Sequence, residues 1–339
     1  MTCRFLAPCP DFKASVLVAA ALILPLAANA QAPVAKPSVA AKSTAWTQPR
    51  TPDGQPDLQG TWVNPTITPF ERPVALGEKA FLTEQEAAEI EKRAKDNRVD
   101  RPPRPGDVGS YEQIWTDSGS KVVSSRRTSL VVDPPNGRVP VTPWAESKRV
   151  YALAHDSDSY EYLTTWDRCI TRGVPGGMFP AGYNNAYQIV QTPGYVAILS
   201  EMIHETRIIP IDGSAHLPAR VRQWTGDSRG HWEGNTLVVE TTNYNDKGNI
   251  ATSAATGRIR GVPQSEALRV VERFTRVDAG TIDYEVTIDD PKAYTRSWKV
   301  ALPLTKDDNY VLYEYACHES NHAMTNILSA GRAKEKAAR

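Results

Sequence analysis

The segment Cys317-His318-Glu319-Ser320-Asn321-His322 concentrates reactive side chains near the end of the chain. His318-Glu319-x-x-His322 matches H-E-x-x-H, in which two imidazoles one helical turn apart bind Zn²⁺ and the glutamate activates water. That chemistry requires a helix through 318–322 and a third ligand. The approach from Asn309 to Ala316 carries aromatic and β-branched residues in a strand pattern. Beyond His322 the seventeen remaining residues hold no His and a single Glu, Glu335, with no room for a second ligand-bearing helix. Zinc-dependent hydrolysis therefore ranks third among the readings. The expectation is that the protein takes no cofactor and that His322 is not a metal ligand, with a remote ligand such as His204 left open for some other zinc site.

A second His-Glu pair lies in Glu201-Met-Ile-His204-Glu205-Thr-Arg207. Read as a strand, this places Met202, His204, Thr206 and Ile208 on one face and Ile203, Glu205 and Arg207 on the other. An imidazole beside Met and Ile is desolvated and stays neutral near pH 7, suited to general base work. His204 and His318 become candidate base and acid, with Glu205 or Glu319 orienting an imidazole. The alternative for each His is a core residue that satisfies one buried hydrogen bond.

Polar groups that could hold a substrate are Arg207, Tyr183 and Asn185, with His231 and Trp232 on a possible barrel-mouth loop. The stretch Trp224–Gly234 also reads as a plain structural hairpin, braced by Asp227 and Arg229. Arg172–Pro180 is a Gly- and Pro-rich loop in which Met178 and Phe179 either form a lid or pack onto the sheet. No G-x-S-x-G elbow supports a serine hydrolase.

These residues need a scaffold, and an address. Residues 1–30 read as a secretory signal: Arg4 and Lys13, an apolar run from Ala14 to Ala28, and Ala28-Asn29-Ala30 as the cleavage site. The expected location is periplasmic or secreted, after cleavage following Ala30. Removal of the signal leaves Cys169 and Cys317 of the four cysteines. In an oxidising compartment that pair predicts a disulfide. It would close a loop of about 150 residues, worth on the order of 4–5 kcal/mol. The same removal takes Arg4, Lys13 and Asp11, so the remaining chain lies within one charge of neutral. Nucleic acid is excluded as a partner by the missing basic stripe. No later apolar run is long enough to span a membrane. The expected partner is a small molecule, and no feature specifies an oligomeric state.

Residues 31–50 read as a flexible leader, 51–333 as one β-rich domain with an N-terminal arm, and 334–339 as a tail. One peripheral helix is expected over about 84–97, opened by a Thr83/Glu86 capping box. The chain is otherwise mostly strand. Ile282, Tyr284, Val286 and Ile288 alternate with polar residues, and further strands are expected at 236–242, 267–277, 297–302 and 310–316. Short turns such as Glu233-Gly234-Asn235 and Asp278-Ala279-Gly280 imply hairpins in an antiparallel meander. The fold class is mainly β, a meander closing into a barrel because closure removes exposed edges, with a β-sandwich as the alternative.

Gly60-x-Trp62 at the head of this region resembles the opening of lipocalin-like barrels. With it, YNNAYQIVQTPGYVAIL (183–199), WTGDSRGHWEGNTLVVETTNYN (224–245) and YEYACHE (313–319) make the chain similar to a largely uncharacterised family of secreted bacterial β-rich proteins. The resemblance covers about residues 51–333. It implies one exported β domain and attaches no reaction. From the residues themselves, the expected function is an aromatic-lined pocket for a small organic molecule, with acid–base chemistry of the lyase, hydratase or isomerase type. A non-catalytic small-ligand-binding protein is the competing reading.

Overall fold

A computed structural model describes residues 46–98 and 116–339. The expected signal and most of the expected leader lie outside the described residues. The described part forms one compact unit, Trp46–Arg339.

The alternating strands pair as expected. β1 (Gly60–Val63), β3 (Ala186–Thr192), β4 (Tyr195–Ser200), β5 (Thr206–Pro210), β6 (Asp227–Glu233), β7 (Thr236–Thr242), β8 (Arg269–Arg276), β9 (Thr281–Asp289) and β10 (Trp298–Lys306) form a single antiparallel sheet, and short β2 (Val131–Asp133) pairs with β10. The order is β5-β4-β3-β1-β10-β9-β8-β7-β6. Two meanders, β3–β5 and β6–β10, are joined through β1. The sheet curls until its end strands β5 and β6 approach each other, giving a nearly closed nine-stranded barrel of lipocalin-like form. A two-layer sandwich is thereby set aside.

Period-two patterning explains the interior. Val270, Glu272, Phe274 and Arg276 of β8 face inward beside Ile282, Tyr284, Val286 and Ile288 of β9, all buried. Each fully buried aliphatic or aromatic side chain contributes about 1.5–3 kcal/mol. Trp62 is fully buried, its indole N–H donates to Leu58 O at 2.9 Å, and Arg276 lies 5.5 Å from its ring centre.

Helix α1 (Glu84–Asp96) begins at the expected capping box, with Thr83 and Glu86 reciprocally bonded. It buries only Ala87 and is peripheral. On its exposed face Glu89 pairs with Arg93 at 3.9 Å, and Glu91 reaches Lys121 at 3.4 Å.

Two further helices correct the one-helix expectation. α2 (Pro143–Ala154) is capped by the Thr142 hydroxyl, with Pro143 at its first position. α3 (Ala323–Ala337) occupies the ground assigned to the end of the domain and the 334–339 tail. It docks through Gly331, where an added Cβ would lie 2.4 Å from Ser157 O, and through Arg332, whose guanidinium donates to Asp158 O.

Two expected strand segments are not strands. Residues 310–316 form an extended strap without ladder partners. Residues 202–204 form a single tight turn, and β5 starts only at Thr206. The turn forms because Ile203 and His204 take positive φ, 64° and 43°, which breaks the ladder.

Candidate functional site

One end of the barrel gathers most of the chemistry. Three segments build it: the loop Cys169–Asn185 before β3, the turn between β4 and β5, and the strap 310–317. The strap is held down at three points. Cys169 and Cys317 form the expected disulfide, with Cα atoms 5.7 Å apart. Tyr315 O lies 2.8 Å from His204 Nδ1. Buried Glu201 accepts the Tyr310 hydroxyl at 2.7 Å and the Tyr313 amide at 3.3 Å. Burial and then the hydrogen bond to Glu201 raise the Tyr310 phenol well above its usual pKa.

Beneath these segments lies a cavity of about 50 Å³, lined by Arg172, Gly177, Ser200, Met202, Glu205 and Arg207 among others. Room of this size takes a few waters or the polar end of a small molecule. Glu205 sits in its wall. The Thr171 hydroxyl donates to Glu205 Oε2 at 2.6 Å. Burial raises the Glu205 pKa above the ordinary glutamate value, partly opposed by the Thr171 hydrogen bond and by Arg207.

Arg207 reaches inward from β5 to Glu272 of β8, with contacts of 2.6 and 3.2 Å, and the Tyr284 hydroxyl donates to the same carboxylate at 3.0 Å. Glu272 is fully buried. Burial works against the charged guanidinium, yet Glu272 outweighs it and the Arg207 pKa is raised.

Arg172 is the second buried guanidinium, 2% exposed. Its Nη2 donates to Phe179 O at 3.3 Å, Trp166 lies 5.8 Å away, and its Nε has no hydrogen-bond partner. Burial lowers its pKa, and the nearby groups that favour its charge are the hydroxyls of Tyr187, Tyr183 and Tyr315. A buried charge without a counter-ion costs on the order of several kcal/mol.

The backbone is strained here as well. Cys169, Asn184, Ile203 and His204 all take positive φ, four of the seven such non-glycine residues among the described residues. Positive φ at a β-branched residue such as Ile203 costs about 1–3 kcal/mol and persists only where surrounding contacts hold it. Met202 and Ile203 are held in a small cluster with Ala181, Trp166, Tyr183, Tyr315 and Cys317.

The residues singled out by sequence divide clearly. Glu205 and Arg207 line the cavity. Tyr183 packs beside it, 6.1 Å from Trp166 and stacked on Tyr315 at 6.3 Å. Asn185 is fully buried, but its amide is used within the fold: it accepts from Ala181 N and donates to Asp117 O and Ala181 O. It shapes the loop and has little left to offer a ligand.

His204 was expected on a dry strand face with Met202 and Ile208. Its side chain is exposed, because the tight turn sends Met202 and Ile203 inward and the imidazole out. Ile208, on the outer face of β5, is exposed too. His318 and Glu319 lie exposed in the turn after the disulfide. Neither His204 nor His318 is among the residues that line the cavity.

His231 and Trp232 stand in the second half of β6 and are not among the residues that line the cavity. His231 is exposed and meets Glu233 at 3.2 Å, while Trp232 packs against the core. They belong to the structural hairpin, in which Asp227 pairs with Arg229 at 3.2 Å. Met178 and Phe179 are core residues rather than a lid; Phe179 meets Phe70 edge-on at 4.8 Å.

The H-E-x-x-H geometry is not formed. Residues 317–320 are a turn with Ser320 at φ 55°, and the helix starts only after His322. Among the described residues no three His, Cys, Asp or Glu side chains gather as a metal site.

Compared with protein-family models, curated proteins and solved structures, the chain finds no match. Its function rests on the site. Sequence reasoning missed Arg172 as a site residue and Glu272 altogether. Glu272 carried a signal: it falls on the dry face of β8 between Val270 and Phe274. Arg172 carried none beyond its place in a Gly-rich loop near Cys169.

Outside the chamber, an open groove of about 630 Å³ runs past Tyr151, Tyr160, Tyr162, Arg168 and Trp224. Arg168 lies 5.3 Å from the Tyr160 ring and 6.0 Å from Trp224. Trp224 lines the groove and its neighbour Thr225 lines the inner cavity.

Proposed function

We propose that this chain is an exported protein that binds a small organic molecule at the barrel-end chamber and moves a proton on it, in a reaction of the elimination, hydration or isomerisation type. One observation carries the reading: Glu205 is a carboxyl group in a cavity wall, with its proton affinity raised by burial. Such a group holds a proton at higher pH than a surface glutamate and returns it to a positioned substrate, as a general acid or base. Exposed His204 and His318 leave that role to Glu205. Arg207 fixes its charge environment and Tyr183 closes the side. Export is supported by the Ala28-Asn29-Ala30 signal pattern and by the Cys169–Cys317 disulfide. Among the described residues no helix is long and apolar enough to cross a membrane.

The test is a panel of small hydroxylated and unsaturated molecules incubated with protein in deuterated water and followed by NMR. Loss of water or uptake of deuterium is expected, and Glu205→Gln should reduce the rate by about 10²–10⁴. An active protein whose Glu205→Gln variant keeps its full rate removes Glu205 from the chemistry.

A second reading, binding without reaction, is favoured by the aromatic groove, whose volume suits a small ligand. It expects a molecule that quenches Trp224 fluorescence saturably, is recovered unchanged, and is lost from Trp224→Ala.

A further inference from the structure

We infer that the ligand of the barrel-end chamber carries a carboxylate that pairs with the buried guanidinium of Arg172. The inference rests on the reading of this chamber as the binding site and names the chemical class it selects.

The chamber contains two buried guanidiniums in different states. Arg207 is paired through two nitrogens with Glu272. Arg172 has one carbonyl contact, an unpartnered Nε, and no carboxylate among the groups that act on its charge. The carboxylates nearby are already engaged. Glu205 takes the Thr171 hydroxyl and the Arg172 backbone N–H and faces Arg207, and Glu201 takes Tyr310 and Tyr313. Arginine keeps its proton even when buried, so the charge of Arg172 remains and calls for an anion.

The shape of the site narrows the anion. A guanidinium offers Nε and one Nη as two parallel donors, which match the two oxygens of a planar carboxylate. The cavity beside Arg172, about 50 Å³, admits such a group. Gly177 lines it, and a Cβ there would take up part of the space in ordinary contact, 3.9 Å, with Arg172 Cβ and Ser200 Oγ. Glu205, on the same wall, tolerates one added negative charge better than the two of a phosphate dianion. In its protonated form it can also donate a hydrogen bond to the incoming carboxylate.

The probes are acetate, its neutral counterpart acetamide, and inorganic phosphate, each titrated at constant ionic strength. Thermal unfolding and ¹³C-acetate NMR provide the readouts. Acetate is expected to raise the unfolding temperature saturably, and acetamide and phosphate to do so at least tenfold less effectively. Arg172→Met should abolish the acetate response and, without ligand, unfold at a higher temperature than wild type. A guanidinium kept only for structure would lower that temperature instead. Gly177→Ala, which narrows the cavity and leaves the guanidinium in place, should weaken acetate at least tenfold with an unchanged circular dichroism spectrum.

The inference is overturned if acetate gives no saturable response, if acetamide or phosphate matches it, or if both variants respond like wild type. Glu205→Gln separates this idea from the acid–base reading. Acetate binding that persists in a protein whose reaction ignores Glu205 keeps the carboxylate site and removes the acid–base role. A reaction that depends on Glu205 in a protein blind to acetate does the reverse.

Discussion

Arg207 on β5 and Glu272 on β8 meet inside the barrel through two contacts of 2.6 and 3.2 Å, although β5 and β8 are not neighbours in the sheet. The pair spans the interior and links the strand at one sheet edge to the opposite meander. Removing one partner leaves the other charged and buried. Glu272→Ala should therefore cost about 3–5 kcal/mol in urea unfolding. The double variant Arg207→Met/Glu272→Leu should recover most of that loss, because neither charge remains. Equal losses in the single and double variants would show that packing, rather than charge, sets the cost.

Glu205 gives the stability a pH dependence of defined sign. Its folded pKa is raised by burial above the unfolded value of about 4.3. The folded state holds the proton more tightly, so this contribution is fully present below pH ~4.3 and is lost as pH rises through the raised folded pKa. Glu205→Gln should flatten that part of the profile and make the variant relatively more stable at neutral pH. Unfolding from pH 4 to 8 checks it, and an identical slope in both proteins would contradict the shift.

The Cys169–Cys317 bridge closes a span of 148 residues over the chamber. Reduction, or Cys317→Ser, should cost about 4–5 kcal/mol by restoring chain entropy to the unfolded state. Amide exchange should rise first in residues 310–322, since this strap has no strand partner. A strap that stays protected after reduction would mean that Glu201 and His204 hold it unaided.

His204 and His318, both exposed, should behave differently from each other. His204→Ala removes the contact to Tyr315 O and should speed exchange in the strap with little change in global unfolding. His318→Ala should leave unfolding temperature, exchange and ligand binding unchanged. A large activity loss in His318→Ala would return it to the site.

Much of this protein is written in local patterns. The wet and dry alternation of 281–289 specifies a strand because successive side chains point to opposite faces. Thr83 and Glu86 specify where α1 begins because they satisfy each other's orphan amides. Cys169 and Cys317, the two cysteines beyond the N-terminal segment, form the expected disulfide. Thr142-Pro143 carried the start of α2 in the same way, and that signal was passed over. The tertiary structure alone decided the site. The pattern at 201–208 favours a strand, yet contacts from Tyr315 and the Trp166 cluster hold Ile203 and His204 at positive φ and turn the imidazole outward. Arg172, Glu205, Arg207 and Glu272 converge from positions up to 100 residues apart. Whether a charge ends up buried, and beside what, depends on which strands the barrel brings face to face. Local sequence sets a side chain's face, and only closure of the sheet sets its partner.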